Sequence, residues 1–272
     1  MTTVYLIRHS ERFSNSNIIS WNTTQSPLLQ SEKSILSVEG ENRARKLSEL
    51  DELNNFDYVY ASNCVRTLET AKYILDKQNL KITLDERLDE RRFGKDNSLE
   101  IPNWYTKQFL EEDYKTEGGE SQREVRERMD EVISEIVNNH PDKRIAIFTH
   151  GYAIFFYLLK YCELVSVNEN REVALKYKGE VFFDKAISAP EVFKLVFDKD
   201  NLEIELVEGL YESWWFYRVN GKVDDSFGLI PDCPECGDTL VKTDNSNYPY
   251  YCSNCKKIFS KDLKRSKYVG NS

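Results

Sequence analysis

Two short apolar runs, at residues 4–7 and 145–148, lead into histidine-containing polar pairs. Continuous apolar runs of this length are typical of strands that are buried on both faces of a parallel sheet. Open α/β sheets bind ligands beyond the carboxyl ends of their strands. The pattern therefore places Arg8-His9 and Thr149-His150 at the edge of a sheet where ligands bind.

Segments with helical spacing of apolar residues separate the predicted strands. Helices are expected at residues 38–53, 65–75, 122–138 and 152–161. Further strands are expected at residues 57–61 and 81–84, with an antiparallel hairpin at 191–198 and 202–208. Ser121 followed by Glu124 is a capping box at the start of the third helix. This alternation predicts an α/β fold, a three-layer α/β/α sandwich with a mostly parallel sheet.

Two segments show little periodicity, residues 12–37 and residues 96–119. The first is rich in Ser, Asn and Thr, and the second is expected to contain a short helix around Trp104 and Phe109. Long loops in compact domains are often functional. We therefore expect these two segments to select the substrate.

Four of the six cysteines are arranged as C-x2-C, a gap of fifteen residues, and a second C-x2-C. They are Cys233, Cys236, Cys252 and Cys255. In a chain that shows no secretion signal, this spacing indicates a tetrahedral zinc site rather than disulfides. Four thiolates leave no open coordination position, so the Zn²⁺ is expected to be structural. The interpretation divides the chain into a main domain at 1–227 and a small zinc-ribbon domain at 228–272.

Charge and composition narrow the partners and the compartment. The net charge is −9 overall, and residues 228–272 carry seven basic and five acidic residues, so the main domain is strongly acidic. An acidic main domain argues against general affinity for nucleic acid or an anionic membrane. The first strand begins almost at Met1, which leaves no room for a signal peptide, and no apolar run reaches the ~18 residues of a membrane span. The expected compartment is the cytoplasm.

His9 and His150 are two of only three histidines in the chain, and both follow buried strands. Either one alone would most simply be a hydrogen-bonded structural histidine. Together with Arg8 and Arg66 they favour a functional site. The third, His140, lies in Asn-Asn-His-Pro and is expected to be an exposed loop residue.

Six motifs occur in order along the chain. They are Leu6-Ile-Arg-His-Ser-Glu11, Leu36-Ser-Val-Glu-Gly40, Tyr60-Ala-Ser-Asn-Cys-Val-Arg-Thr-Leu-Glu-Thr-Ala71, Leu88-Asp-Glu-Arg-Arg-Phe-Gly94, Gly119-Glu-Ser121 and Phe148-Thr-His-Gly151. In this order they resemble the successive motifs of the histidine phosphatase superfamily, the phosphoglycerate-mutase-like proteins, over roughly residues 3–210. The resemblance implies phosphoryl transfer through a phosphohistidine, with no cofactor required for catalysis.

The resemblance also implies a role for each matched residue. His9 matches the nucleophile, and Arg8, Arg66 and His150 match the pocket that clasps the phosphoryl oxygens. Glu90 matches the acid that protonates the leaving oxygen. The remaining predicted substrate-binding residues are Ser10, Asn15 and Gly151. Ser10 departs from the family, which usually has glycine at this position, and Asn17 is an alternative to Asn15.

Several alternatives stay open at this point. Glu90 lies in a run of charged residues that are usually solvated, so Glu11 is an alternative acid. The main interpretation is a phosphomonoester hydrolase that acts on a small phosphorylated metabolite or a phosphoprotein. A phosphoglycerate-type mutase is disfavoured because residues 96–119 carry only two basic residues, Lys107 and Lys115, among a larger number of acidic residues. A non-catalytic adaptor that binds a phosphorylated ligand is the alternative from another class.

The role of the zinc ribbon is also open. It is expected either to dock on the main domain through Trp214, Trp215 and Phe216 or to contact a protein partner. Nucleic acid is a weaker candidate, because four thiolates and one Zn²⁺ add about −2 and cancel the net charge of the segment.

Overall fold

The computed structural model divides the chain into two compact units, Met1–Val207 and Glu208–Ser272. It describes residues 1–13, 32–95, 101–198, 201–206, 233, 240–242, 250–252 and 254–259. The domain boundary predicted at residue 227, together with Asn15, Cys236 and Trp214, lies outside the described residues.

The first unit is built on a six-stranded sheet with the strand order β3-β2-β4-β1-β8-β9. The strands are β1 Thr2–Arg8, β2 Tyr58–Ala61, β3 Ile82–Leu84, β4 Arg144–Thr149, β8 Val192–Asp198 and β9 Asn201–Leu206. The pairs β3/β2, β2/β4 and β4/β1 are parallel, whereas β1/β8 and β8/β9 are antiparallel. This confirms the predicted mixed α/β fold with a mostly parallel central sheet and the predicted C-terminal hairpin.

Five helices accompany these strands in the described part of the unit. They are α1 Val38–Leu47, α2 Val65–Gln78, α3 Trp104–Leu110, α4 Gln122–Asn139 and α5 Gly151–Leu158. The side chain of Ser37 accepts a hydrogen bond from Gly40 N and caps α1, and both halves of the predicted Ser121–Glu124 capping box are present on α4. The helix predicted at residues 38–53 is shorter than expected, because it ends at Leu47 and a 3-10 turn follows at Asp51–Leu53.

Both faces of the central strands are buried. Val4 and Leu6 of β1 belong to one apolar cluster with residues of α4 and α5, such as Met129 and Phe155. Tyr5 and Ile7 point to the opposite face and are fully buried as well. Two covered faces explain why the strands are continuous apolar runs rather than alternating sequences.

A second, antiparallel sheet of the first unit was not predicted. It consists of β5 Glu163–Val167, β6 Glu172–Tyr177 and β7 Glu180–Ala186, in that order. Lys178 and Gly179 join β6 to β7, and both have positive φ values, as a tight two-residue hairpin turn requires. These three strands form an accessory sheet between α5 and β8 along the chain.

The second unit contains a small antiparallel sheet of three strands. These are β10 Val241–Lys242, β11 Tyr250–Cys252 and β12 Lys257–Phe259. Its described core consists of Leu240, Tyr250 and Phe259 with two buried cysteines. In the described parts of both units, no helix is long and apolar enough to cross a membrane.

Candidate active site

The ends of β1 and β4 bring the two predicted histidines together. Arg8 lies opposite Thr149 in the parallel register, and His9 N donates a hydrogen bond of 2.9 Å to Thr149 O. The ring centroids of His9 and His150 are 5.2 Å apart. Both histidines are buried, with 6% and 0% of their surface exposed. The juxtaposition follows from the parallel pairing of two strands that are far apart in the sequence.

His9 is held in one tautomer by its own backbone neighbour. Its Nδ1 lies 2.7 Å from Ser10 O. A carbonyl oxygen only accepts hydrogen bonds, so Nδ1 carries the ring proton and Nε2 keeps its lone pair. Burial, followed by the positive charges of Arg66 and Arg8, holds the pKa of His9 well below its usual value of 6.5. The ring is therefore neutral at physiological pH, with an unprotonated Nε2.

His150 is also neutral, and both of its ring nitrogens have partners. Arg66 Nη2 lies 2.9 Å from His150 Nδ1, and since the guanidinium only donates, Nδ1 accepts. Nε2 then carries the proton and donates to Ser62 Oγ at 2.8 Å. Burial, followed by the charge of Arg66, holds the pKa of His150 well below its usual value. His150 therefore orients Arg66, and its direct contact with phosphoryl oxygens stays a prediction.

Arg8 is fixed by the segment that precedes β8. Its Nη1 donates to Ile187 O at 2.6 Å and to Ser188 O at 3.1 Å, and its backbone N donates to Glu191 O. Its Nε is buried and has no hydrogen-bond partner among the described residues. Burial lowers the pKa of Arg8, and the negative charges of Glu90 and Glu191 oppose this change. The guanidinium is thus positioned, with a buried donor still available for an oxyanion.

Glu90 lies beside this pocket because its turn is tied to β4 and α5. Thr149 Oγ1 donates to Leu88 O at 2.6 Å, and Glu90 Oε1 accepts from Ala153 N, in the first turn of α5, at 3.2 Å. The charge of Glu90 opposes the lowering of the pKa of Arg8 by burial. These contacts place the carboxylate next to the phosphoryl pocket rather than on a solvated face.

Glu11, the alternative acid, is engaged elsewhere. Its carboxylate accepts from Ser37 Oγ at 2.8 Å and lies 3.2 Å from Arg43 Nη2. Ser37 caps α1, and Arg43 lies in the middle of the same helix. The geometry therefore favours Glu90 as the proton donor.

Ser10 uses its polar atoms to hold the backbone after His9. Its Oγ donates to Gly40 O at 2.7 Å, and its N donates to Thr70 Oγ1 at 2.9 Å. A Cβ on Gly40 would lie 2.0 Å from Glu11 O, so only glycine allows α1 this close. The hydroxyl hydrogen of Ser10 is thus engaged, and its contact with substrate stays a prediction. Gly151, the first residue of α5, lies against the guanidinium of Arg8.

Four residues near the pocket were missed by the sequence analysis: Arg12, Tyr105, Tyr152 and Arg171. The Tyr105 and Tyr152 rings pack with centroids 5.7 Å apart. Burial, followed by other charged groups that include Glu90, raises the pKa of both phenols. Arg12 lies three residues after His9, and Tyr152 lies two residues after His150. These positions in the sequence could have indicated that both residues lie near the pocket. Tyr105 and Arg171 have no comparable signal.

The two cysteines of the first unit, Cys64 and Cys162, are buried. Cys64 precedes the first residue of α2, and burial raises the pKa of its thiol to about 11. Burial raises the pKa of Cys162 to about 12. Neither thiol is a nucleophile at neutral pH.

Three cysteines of the second unit form a cluster. The sulfur atoms of Cys233, Cys252 and Cys255 all lie within 4.8 Å of one another, and Cys255 N donates to Cys252 Sγ at 3.3 Å. None of these three cysteines forms a disulfide, and two of them are buried. Converging thiols of this kind are a donor set that suits Zn²⁺.

Residues 4–177 match the histidine phosphatase superfamily (branch 1), so the chain belongs to this family and is an enzyme that acts on phosphate esters. A relative described as probable phosphoglycerate mutase GpmB from Enterobacter sp. (strain 638) is 28% identical over 162 residues, which are 57% of this chain and 72% of the relative.

Solved structures share the fold. YhfR from Bacillus stearothermophilus superposes with a TM-score of 0.56 at 21% identity, covering 77% of this chain and 97% of the other. A mycobacterial glucosyl-3-phosphoglycerate phosphatase superposes with a TM-score of 0.52 at 17% identity, covering 75% and 96%.

Proposed function

We propose that this chain is a phosphomonoester hydrolase in which His9 Nε2 accepts the phosphoryl group and Glu90 is the proton donor. The observation that carries the proposal is the state of His9. Its ring is neutral, its proton is committed to Ser10 O, and its other nitrogen lies in a pocket with Arg8 and Arg66. An unprotonated imidazole next to fixed positive charge is what attack on a phosphate dianion requires.

The reaction then proceeds in two displacements. In the first, His9 Nε2 attacks phosphorus, the bond to the ester oxygen breaks, and Glu90 transfers its proton to the departing alcohol. Arg8 and Arg66 bind the equatorial oxygens, where charge accumulates. In the second, the Glu90 carboxylate takes a proton from water, the resulting hydroxide attacks phosphorus, and the bond to Nε2 breaks. Inorganic phosphate leaves and His9 is neutral again.

Release of p-nitrophenol from p-nitrophenyl phosphate tests the proposal, together with phosphate release from a panel of phosphorylated metabolites. We expect His9→Ala to abolish turnover. His140→Ala is the matched control, because His140 lies at the opposite end of β1, where its carbonyl accepts from Thr2, and its ring stacks on Tyr58. Equal and negligible release from the wild type and His9→Ala would contradict the proposal.

A phosphoglycerate-type mutase is the second candidate, favoured by the description of the curated relatives. It predicts exchange of the phosphoryl group between monophosphoglycerates without net phosphate release. If the chain is instead a non-catalytic adaptor, it should bind a phosphorylated ligand without releasing phosphate and without exchanging the phosphoryl group. We propose small phosphorylated metabolites as the substrates, ahead of phosphoproteins, and expect a cytoplasmic enzyme that binds neither nucleic acid nor membrane.

For the second unit, we propose a zinc ribbon with a structural Zn²⁺ held by Cys233, Cys236, Cys252 and Cys255. The cluster of three sulfur atoms supports this, and the spacing of the sequence supplies Cys236 as the fourth ligand. The small described core of this unit makes metal the expected source of its stability. Metal analysis should find one zinc per intact chain and less in Cys252→Ser. Absence of zinc from the intact chain would refute the site.

A further inference from the structure

A single buried carboxylate fixes the connection between β7 and β8. Glu191, the residue that precedes β8, is fully buried. Its Oε2 accepts a hydrogen bond of 3.1 Å from Ser188 N and lies 3.3 Å from the Nζ of Lys185, which belongs to β7. One oxygen atom therefore ties the end of the accessory sheet to the start of β8, and the backbone between them has a defined path.

This connection supplies the oxygens that hold the guanidinium of Arg8. Arg8 Nη1 donates to Ile187 O at 2.6 Å and to Ser188 O at 3.1 Å. A Cβ on Gly151 would lie 3.5 Å from Arg8 Nε and 3.6 Å from Ile187 Cγ2, so the connection and the start of α5 both border the guanidinium. The position of Arg8 thus depends on the position of these two carbonyl groups.

The peptide unit between Ile187 and Ser188 links the two charged side chains. Its N–H, on Ser188, donates to the Glu191 carboxylate, and its carbonyl oxygen, on Ile187, accepts from the Arg8 guanidinium. A peptide unit is planar, and its N–H and its oxygen point in opposite directions. Hydrogen bonds in a chain of this kind, with a charged group at each end, polarise and strengthen one another. Loss of the carboxylate would allow this peptide to turn and Arg8 to move.

The charges of Glu191 and Arg8 support the same arrangement. Burial lowers the pKa of Arg8, and the charges of Glu90 and Glu191 oppose this change. Burial raises the pKa of Glu191, and the charge of Lys185, followed by other groups that include Arg8, opposes that change. Each of the two side chains therefore favours the ionised form of the other.

We propose that Glu191 is a positioning residue for phosphoryl binding, whose carboxylate acts through the Ile187–Ser188 peptide to hold the Arg8 guanidinium in place. Nη1 of Arg8 is then committed to the two carbonyls, and the buried Nε faces the phosphoryl oxygens. The inference rests on the role proposed for Arg8 in the hydrolase. Glu191 itself acts through Arg8 rather than on the substrate.

A double-mutant cycle tests this role. The Kd of inorganic phosphate is measured by isothermal titration calorimetry, and kcat/KM is measured with p-nitrophenyl phosphate. We expect Glu191→Ala to weaken phosphate binding about tenfold, as misplacement of a charge-assisted donor would, and to lower kcat/KM by at least as much. In the Arg8→Ala background the same substitution should change the Kd less than about twofold, because the group through which it acts is gone.

Two further variants separate positioning from folding. Glu191→Gln keeps an oxygen that can accept from Ser188 N, so it should retain more phosphate affinity than Glu191→Ala. Glu163→Gln is the matched control, because Glu163 is an acid of the accessory sheet that pairs with Lys176 at 2.6 Å. It should leave both the Kd and kcat/KM unchanged.

The outcomes distinguish this role from the proposed function. Equal weakening of phosphate binding by Glu191→Ala in the wild-type and Arg8→Ala backgrounds would overturn the positioning role, and so would an unchanged Kd in the wild-type background. Absence of p-nitrophenyl phosphate hydrolysis by the wild type would overturn the hydrolase, whereas the cycle of phosphate affinities would still decide the role of Glu191.

Discussion

The neutral state of His9 and His150 makes the stability of the first unit depend on pH in a way that can be calculated. Both pKa values are held well below 6.5 in the folded chain, whereas an unfolded histidine titrates near 6.5. When the pH falls from 7.5 to 5.0, the unfolded chain takes up protons that the folded chain does not. Because the unfolded state binds more protons, the stability falls as the pH falls.

The size of the effect follows from the unfolded state. A histidine that stays neutral in the folded state lowers the free energy of unfolding by about 2 kcal/mol between pH 7.5 and pH 5.0. This is the free energy that the unfolded state gains over that range by binding a proton to a group with a pKa near 6.5. His9 and His150 together therefore account for a loss of up to about 4 kcal/mol. That is a large part of the ~5–15 kcal/mol by which domains are stable.

Two measurements test this reasoning. In ring-proton NMR spectra of the folded protein, the signals of His9 and His150 should not titrate between pH 8 and pH 5. In urea unfolding, the free energy of unfolding of His9→Gln should fall by about 2 kcal/mol less than that of the wild type between pH 7.5 and pH 5.0, because one of the two histidines is gone. Carboxylates also titrate in this range, and the comparison of the two proteins cancels their contribution.

The outcome that refutes the argument is a His9 ring that titrates with a midpoint near 6.5 in the folded protein. An identical dependence of stability on pH in the wild type and His9→Gln would refute it as well. Either result would mean that the ring is charged in the pocket, and the proposed nucleophile would then need a separate base.

Three further predictions concern the supports of the site. Ser62→Ala should destabilise the chain by about 1–3 kcal/mol in urea unfolding and lower kcat, because it leaves the buried Nε2–H of His150 without its acceptor. Gly40→Ala should lower the melting temperature, since the new methyl group would clash with the Glu11 carbonyl. Burial raises the pKa of Asp89 to about 6, so the free energy of unfolding falls as the pH rises from about 4 to 6. Asp89→Asn should reduce this dependence of the free energy of unfolding on pH.

Much of the site could be predicted because its residues directly follow recognisable strands or lie in ordered motifs. His9 and His150 lie beyond strands whose continuous apolar sequences indicate burial on both faces, and parallel pairing then brings the two histidines together. Arg66 and Glu90 were predicted from the motifs, and the structure supplies their contacts with His150 and with the start of α5.

Other features depended on contacts between residues that are distant in the sequence. Arg43 of α1 pairs with Glu11, and this contact favours Glu90 over Glu11 as the proposed acid. The Ser10 hydroxyl is oriented by Gly40, which lies thirty residues further along the chain. Residue type and spacing do not determine the direction of these side chains, because their partners are chosen only when the helices pack on the sheet.

The amino-acid sequence by itself determined the family and most of the mostly parallel sheet, and it predicted the nucleophile, because local apolar patterns and motifs encode these features. Tertiary structure alone decided what surrounds the phosphoryl pocket. The turn after β5 meets the start of α3 through the hydrogen bond from Thr106 N to Glu169. No local pattern predicts this meeting, since it results from packing that joins segments more than sixty residues apart.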